Sequence, residues 1–237
     1  MQKENIVEFK VFGRYALFSD PITRVGGEKC TYQVPTYQAL KGILESVYWK
    51  PTLVWYIDEV RIMKRITTQS QGVRPISYGQ GPNTLSIYTY LTNVEYQVRA
   101  HFEWNMNRSE LEQDRNEDKH FQIAKRMIER GGRRDIFLGT RECQGYVEPC
   151  KFGEGEGAYD DYGELAFGIM FHGFDYPDET GEDKLGVRFW NYVMRNGSIK
   201  FVKPNECAIR REISTMKAKK FGNGNFSGLE EFEGVEH

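Results

Sequence analysis

The stretch Val94-Glu95-Tyr96-Gln97-Val98-Arg99-Ala100-His101-Phe102-Glu103-Trp104 alternates apolar and polar residues without a miss. That is the period-two signature of a strand with one face on a core. On this pattern His101 falls on the polar face and is expected at the surface. Upstream, residues 6–12 are short, rich in β-formers and followed by Gly13, which reads as a first strand. Leu40, Ile43, Leu44 and Val47 recur at helical spacing until Pro51 forces a stop. Residues 53–66 again read as a strand, with a phase slip at Asp58-Glu59 that fits a bulge. Residues 67–84, with three Gly and two Pro, read as a loop.

Downstream, Asn116 is suited to cap a second helix that Gly131-Gly132 would end. Residues 136–138 form a short apolar segment bounded by Gly139, a fourth or fifth strand. The order strand, helix, strand, strand, helix, strand is the split βαβ arrangement shared with RNA-recognition domains. The fold class is therefore α+β, with an N-terminal ferredoxin-like domain over residues 1–142. Residues 165–171, 187–193 and 198–202 are strand candidates between Gly- and Asp-rich turns. They give a smaller β-rich domain over residues 143–221. Residues 222–237 are rich in Gly and Glu and read as a disordered tail.

The 237 residues are enough to bury a core without a staple, and 39% hydrophobic with 28% charged is a globular balance. No apolar run approaches the ~18 residues of a membrane span, the longest uncharged stretch (residues 75–94) being rich in Ser, Thr, Gly, Asn and Pro, and residues 1–6 lack the apolar stretch of a secretory signal. A cytoplasmic location is expected, with no membrane partner. The net charge of −2 excludes a uniformly basic nucleic-acid binder. It hides an asymmetry, however: residues 1–100 carry a net +4 and residues 151–200 a net −5. One basic face can still hold phosphates. Cys30, Cys143, Cys150 and Cys207 include no Cys-x-x-Cys pair, so reduced thiols are expected rather than a zinc site. Asp160, Asp161 and their neighbouring glutamates lack calcium-loop spacing and read as an acidic turn.

On the second helix, offsets of 7 and 11 bring Lys119, Arg126 and Arg130 within about 40° of one another. Arg133 and Arg134 extend this stripe past Gly131-Gly132, where main-chain N–H groups can approach phosphate. A solvated helix face accounts for the same charges equally well. His120 sits on the apolar stripe with Ile123, Ala124, Met127 and Ile128. From spacing alone it is either a core histidine or, in the first turn beside Lys119, a proton acceptor in a cleft. Tyr48, near the end of the first helix at the edge of its apolar face, is a rim aromatic or a phenol facing the second helix.

Longer runs carry a resemblance. They include Tyr15-Ala16-Leu17-Phe18, Gly26-Gly27-Glu28-Lys29 and Val34-Pro35-Thr36-Tyr37-Gln38-Ala39-Leu40-Lys41-Gly42. Others are Tyr48-Trp49-Lys50-Pro51-Thr52, Gly72-Val73-Arg74-Pro75-Ile76, Asp114-Arg115-Asn116-Glu117, Lys119-His120 and Gly131-Gly132-Arg133-Arg134-Asp135-Ile136-Phe137-Leu138-Gly139. Arg141-Glu142-Cys143-Gln144-Gly145-Tyr146-Val147 and His172-Gly173-Phe174 complete them. Over roughly residues 6–220 the chain resembles the CRISPR-associated Cas-five family, subtype d, of type I-C systems. That resemblance implies a metal-independent endoribonuclease without cofactor. It would cut CRISPR repeat transcripts and stay with the guide RNA in the interference complex. The implied catalytic residues are Tyr48, Lys119 and His120. The RNA-binding residues expected are Lys29, Lys41, Arg126, Arg130, Gly131, Gly132, Arg133 and Arg134. Partners would be the hairpin precursor and mature guide RNA, the other subunits of the type I-C complex, and DNA as a further candidate within it.

Attack of a ribose 2′-OH on its own phosphate needs a base, a cation for the phosphorane oxygens and an acid for the 5′-oxygen. These residue types suit His120 as base, Lys119 as cation and Tyr48 as acid or orienting donor, its ordinary pKa of ~10 making it a poor base. The order of Tyr48 and His120 in the proton transfers stays open. So does a second reading, a non-catalytic subunit that caps the 5′ handle of the guide.

Overall fold

The computed structural model describes residues 5–21, 23–74 and 85–218. It is α+β, dominated by one mostly antiparallel sheet: strands β1 (Val7–Ala16), β2 (Leu53–Ile62), β3 (Thr68–Val73), β4 (Ser86–Trp104), β5 (Ile136–Phe137), β6 (Gln144–Pro149), β7 (Glu164–Asp175), β8 (Lys184–Arg195), β9 (Ser198–Lys200) and β10 (Ile209–Thr215). Its main path runs β10-β8-β9-β2-β4-β1-β6-β5, with β3 paired to β4 and β7 to β8. Helix α1 (Tyr37–Val47) connects β1 to β2, and α2 (Glu117–Glu129) connects β4 towards β6. In the centre, β2, β4, β1 and β6 are neighbours, each pair antiparallel. Each helix therefore crosses over one intervening strand. No helix among the described residues is long and apolar enough to cross a membrane.

Local chemistry accounts for the helix limits. Thr36 caps α1 by accepting from the Ala39 N–H, while Leu40, Ile43, Leu44 and Val47 are buried. Asn116 caps α2 by accepting from the Lys119 N–H. At the other end, Gly131 and Gly132 both take positive φ. Their N–H groups return to the carbonyls of Ile128 and Met127, closing the helix as a left-handed glycine turn does. The slip in β2 is a register shift between Ile57 and Glu59.

Four expectations change. Gly13 does not end β1: the strand runs on to Ala16, and Gly13 is where β1 passes so close to Gln144 and Leu138 that a Cβ would clash. Within the segment read as a loop, Thr68–Val73 is a strand paired to residues 86–91. Its side chains are largely exposed, so it carries no apolar alternation to read. The strand beside β1 is β6, and residues 136–137 form only a two-residue strand outside it. His101 is buried, with Nδ1 2.8 Å from the Asp58 carboxylate and its ring stacked on Tyr56. On the same polar side of the sheet, the chain at Glu154 and Gly155 accepts from Gln97 and Arg61, so alternation there does not mean solvent.

Strand β6, which follows the expected boundary at residue 142, is hydrogen-bonded along β1, and β9 lies between β2 and β8. Residues 222–237 lie outside the described residues. All four cysteines are free thiols, Cys143 and Cys207 buried.

Candidate active site

The apolar face of β4 packs under both helices and sets the floor of the site. Phe102 and Trp104 place their rings edge-on to the His120 imidazole, with centroids 6.4 and 5.7 Å away. His120 enters from the first turn of α2 and is fully buried. Tyr48 enters from the end of α1, where its backbone turns extended and its carbonyl is held by the Trp55 indole N–H at 2.7 Å. The two meet: Tyr48 Oη lies 2.7 Å from His120 Nδ1.

The partner of the other ring nitrogen fixes the proton. His120 Nε2 is 2.7 Å from the backbone carbonyl of Asp114, which can only accept. Nε2 therefore carries the hydrogen and Nδ1 offers its lone pair to the Tyr48 hydroxyl. Asp114 belongs to a 3-10 turn (Ser109–Asp114) ahead of α2, and its carboxylate is the hub of the site. It accepts from Lys119 Nζ at 2.5 Å and Thr52 Oγ1 at 2.8 Å, and its Oδ2 stands 3.4 Å from His120 Nε2. The Lys119 hydrogen bond, helped by Thr52, holds this carboxyl below the usual range despite some desolvation. Burial, and secondarily the Asp114 charge, pushes the Tyr48 phenol up to about 12 against the pull of Arg133. Lys119 remains half exposed. A buried imidazole whose lone pair faces a phenol, itself only 3% exposed, beside a half-exposed ammonium, is equipped for proton abstraction and for stabilising an anion.

A family model described as CRISPR-associated protein (Cas_Cas5), in its Cas5d form, matches residues 6–202. The chain belongs to the Cas5d family. Two relatives are named CRISPR pre-crRNA endoribonuclease Cas5d. That of Mannheimia succiniciproducens is 28% identical over 151 residues, 54% of this chain and 64% of the relative. That of Thermus thermophilus is 25% identical over 190 residues, 76% of this chain and 77% of the relative. The chain thus spans just under two thirds of the Mannheimia protein. A solved structure described as a CRISPR-associated protein superposes with a TM-score of 0.74 at 37% identity, covering 87% of this chain and 96% of its own.

In this Cas5d chain, Tyr48, Lys119 and His120 come together as a connected cluster. Asp114 and Thr52 complete it, and spacing did not single them out. Asp114 lies in a turn without periodicity, and Thr52 reaches it from the turn just before β2. Of the expected RNA-binding residues, Arg126, Arg130, Arg133 and Arg134 are exposed, with Gly131-Gly132 between them. The Arg134 N–H donates to the Ser46 carbonyl, which ties this loop to the end of α1 beside Tyr48. Lys29 stands apart, its ammonium 4.8 Å over the Tyr88 ring. Lys41 is a correction: it is 3% exposed and bound to Glu179 at 2.5 Å, a neutralised interior cation rather than a phosphate contact. Among the described residues no group of three or more His, Cys, Asp or Glu side chains is set to hold a metal.

Proposed function

We propose that this chain is a metal-independent endoribonuclease that cuts CRISPR repeat RNA by attack of a ribose 2′-OH on the adjacent phosphate. The connected Tyr48–His120–Asp114–Lys119 cluster carries the reading. Because His120 is buried and its free lone pair faces Tyr48, the base works through the phenol. The Tyr48 oxygen takes the 2′-OH proton as its own passes to Nδ1, and the phenol never has to ionise by itself. The resulting imidazolium is held by the Asp114 carbonyl and faced by its carboxylate. Lys119 leaves Asp114 for the phosphate and neutralises the phosphorane oxygens as the P–O5′ bond breaks. The imidazolium then returns the proton through the Tyr48 oxygen to the departing 5′-oxygen, so that one proton moves from the 2′-OH to the 5′-oxygen overall, giving a 2′,3′-cyclic phosphate and a 5′-OH. Tyr48 is thus a relay and an orienting donor, not an independent acid.

The strands β1, β2 and β4 with both helices, joined by β6 from beyond residue 142, make up the ferredoxin-like, RNA-facing part of this reading, and the remainder of residues 143–221 adds its β-rich part. The exposed arginines around Gly131-Gly132 follow the RNA backbone to the cluster. Once cut, the RNA stays bound and the protein becomes a subunit of the type I-C complex, with its other subunits and DNA as neighbours there. A second reading, a non-catalytic subunit capping the 5′ handle, draws on one observation: Lys119 is closed onto Asp114 over a buried imidazole.

Incubating the protein with its repeat RNA in EDTA separates the two. Cleavage is expected in chelator, leaving a cyclic phosphate, and is expected to vanish when the nucleotide at the cut carries a 2′-deoxy sugar. Tight binding without any cut, with or without added divalent ions, would move the protein to the handle-capping reading.

A further inference from the structure

A second recess, of about 480 Å³, opens beside α1 and is not part of the catalytic cluster. Its floor is the helix face carrying Gln38, Ala39 and Gly42, and its walls include Phe137, Phe171 and Lys29. Gly42 sits in the interior of α1, where glycine is the least favourable residue after proline. No close packing explains it, because a Cβ at this position would meet nothing within 4 Å. The glycine instead bares helix backbone to an open space that no part of the described chain fills.

The chemistry around that space suits one ligand class. Phe137 and Phe171 are half-buried rings able to flank a planar base. The Gln38 carboxamide oxygen accepts from the Phe174 N–H, which leaves its two N–H donors without a partner among the described residues. The Lys29 ammonium lies over the Tyr88 ring, and no carboxylate neutralises it among the described residues. The recess and the arginine groove flank the same short strand, β5. Phe137 lines the one, while Ile136, its neighbour in β5, lines a recess of about 580 Å³ with Gly131, Gly132, Arg133 and Arg134.

We propose that this recess binds one unpaired nucleotide of the RNA, its base between Phe137 and Phe171 against the bared backbone of Gly42 and its phosphate towards Lys29. This rests on the RNA-processing reading and adds a specificity site in the single-stranded flank of the repeat hairpin. β5 ends the main path of the sheet, so an unpaired strand rounding it from the arginine groove could reach the recess, and a duplex could not.

Gly42→Leu tests it, because the new side chain has room in the recess and improves helix propensity; Gly42→Gln is the polar second variant. Affinity is measured for three RNAs: the full repeat, the hairpin trimmed of its flanks, and full repeats with one abasic nucleotide walked along the flanks. Both variants should melt no lower than the parent, bind the full repeat about tenfold more weakly and bind the trimmed hairpin equally well. One abasic position should weaken the parent protein by a similar factor and the variants no further. Parent-like binding of the full repeat by both variants overturns the site and leaves the nuclease reading intact. Equal weakening on full and trimmed RNA overturns it as well. If the parent protein binds none of these RNAs, it is the processing reading that has failed.

Discussion

Helix α1 begins on one tyrosine and is capped at its C-terminal end by another, and each tyrosine meets a fully buried histidine. At its start, Tyr37 stacks on His172 with centroids 4.2 Å apart. At its end, Tyr48 donates to His120. The two imidazoles share more than burial. Each places Nε2 against a backbone carbonyl, that of Val202 at 3.1 Å and that of Asp114 at 2.7 Å. They differ in what faces Nδ1. For His172 it is the Arg188 guanidinium, 3.5 Å away and itself bound to Asp175 and the Phe174 carbonyl. For His120 it is a neutral hydroxyl, with a carboxylate nearby. A permanent cation at the lone pair opposes protonation, whereas a hydroxyl can hand a proton over. Burial beside a tyrosine does not make a histidine a base; the group at its free nitrogen does.

The largest expected effect breaks this comparison at its stronger end. His120→Ala should slow single-turnover cleavage about a thousandfold and leave repeat-RNA affinity within about threefold. His172→Phe, which keeps the stack on Tyr37, should cut at the parent rate. Equal losses in both variants would mean that the two pairs are alike after all. Tyr48→Phe comes next. If the phenol is the relay, removing its oxygen should cost about a hundredfold in rate with affinity unchanged. A parent-like rate would show that His120 reaches the 2′-OH unaided.

Asp114→Asn sharpens the comparison by removing charge while keeping the backbone carbonyl that orients His120. Its rate should fall about tenfold, since the imidazolium loses its facing carboxylate. Affinity should rise slightly, since Lys119 is released for phosphate. A rate loss accompanied by an equal loss of affinity would point to a damaged fold instead.

What the sequence made legible follows the range of each interaction. The caps at Thr36 and Asn116, the glycine turn after α2 and the bulge in β2 are local, and local residue types announce them. Strand β3 escaped because its pairing with β4 is carried by backbone, with side chains in solvent. His101 was misplaced because its partner Asp58 is 43 residues away and the loop that covers its side of the sheet is farther still. Lys41 looked like a surface cation because the carboxylate that neutralises it, Glu179, lies 138 residues on. At the site, residue chemistry and family resemblance named Tyr48, Lys119 and His120. The hub at Asp114 needed three dimensions, since its ties to Thr52 and His120 join two elements that spacing cannot relate.

The smallest effect reads out the structural member of the pair through pH. Burial, and then the Arg188 charge, pushes the His172 pKa down to about 3. The unfolded chain holds a histidine near 6.5, so between these values it binds a proton that the folded protein refuses. The contribution of His172 to stability is therefore complete above about pH 6.5 and is lost as pH falls towards the folded value. The slope is about 1.4 kcal/mol per pH unit, or about 2 kcal/mol between pH 7 and pH 5. His172→Phe has no such proton to bind. Urea unfolding at the two pH values should therefore show the parent losing about 2 kcal/mol more than this variant, whatever the substitution costs at pH 7. Equal losses would show that His172 titrates normally in the fold. The guanidinium at its lone pair would then not separate it from His120, and the distinction would have to rest on Lys119 and Asp114 alone.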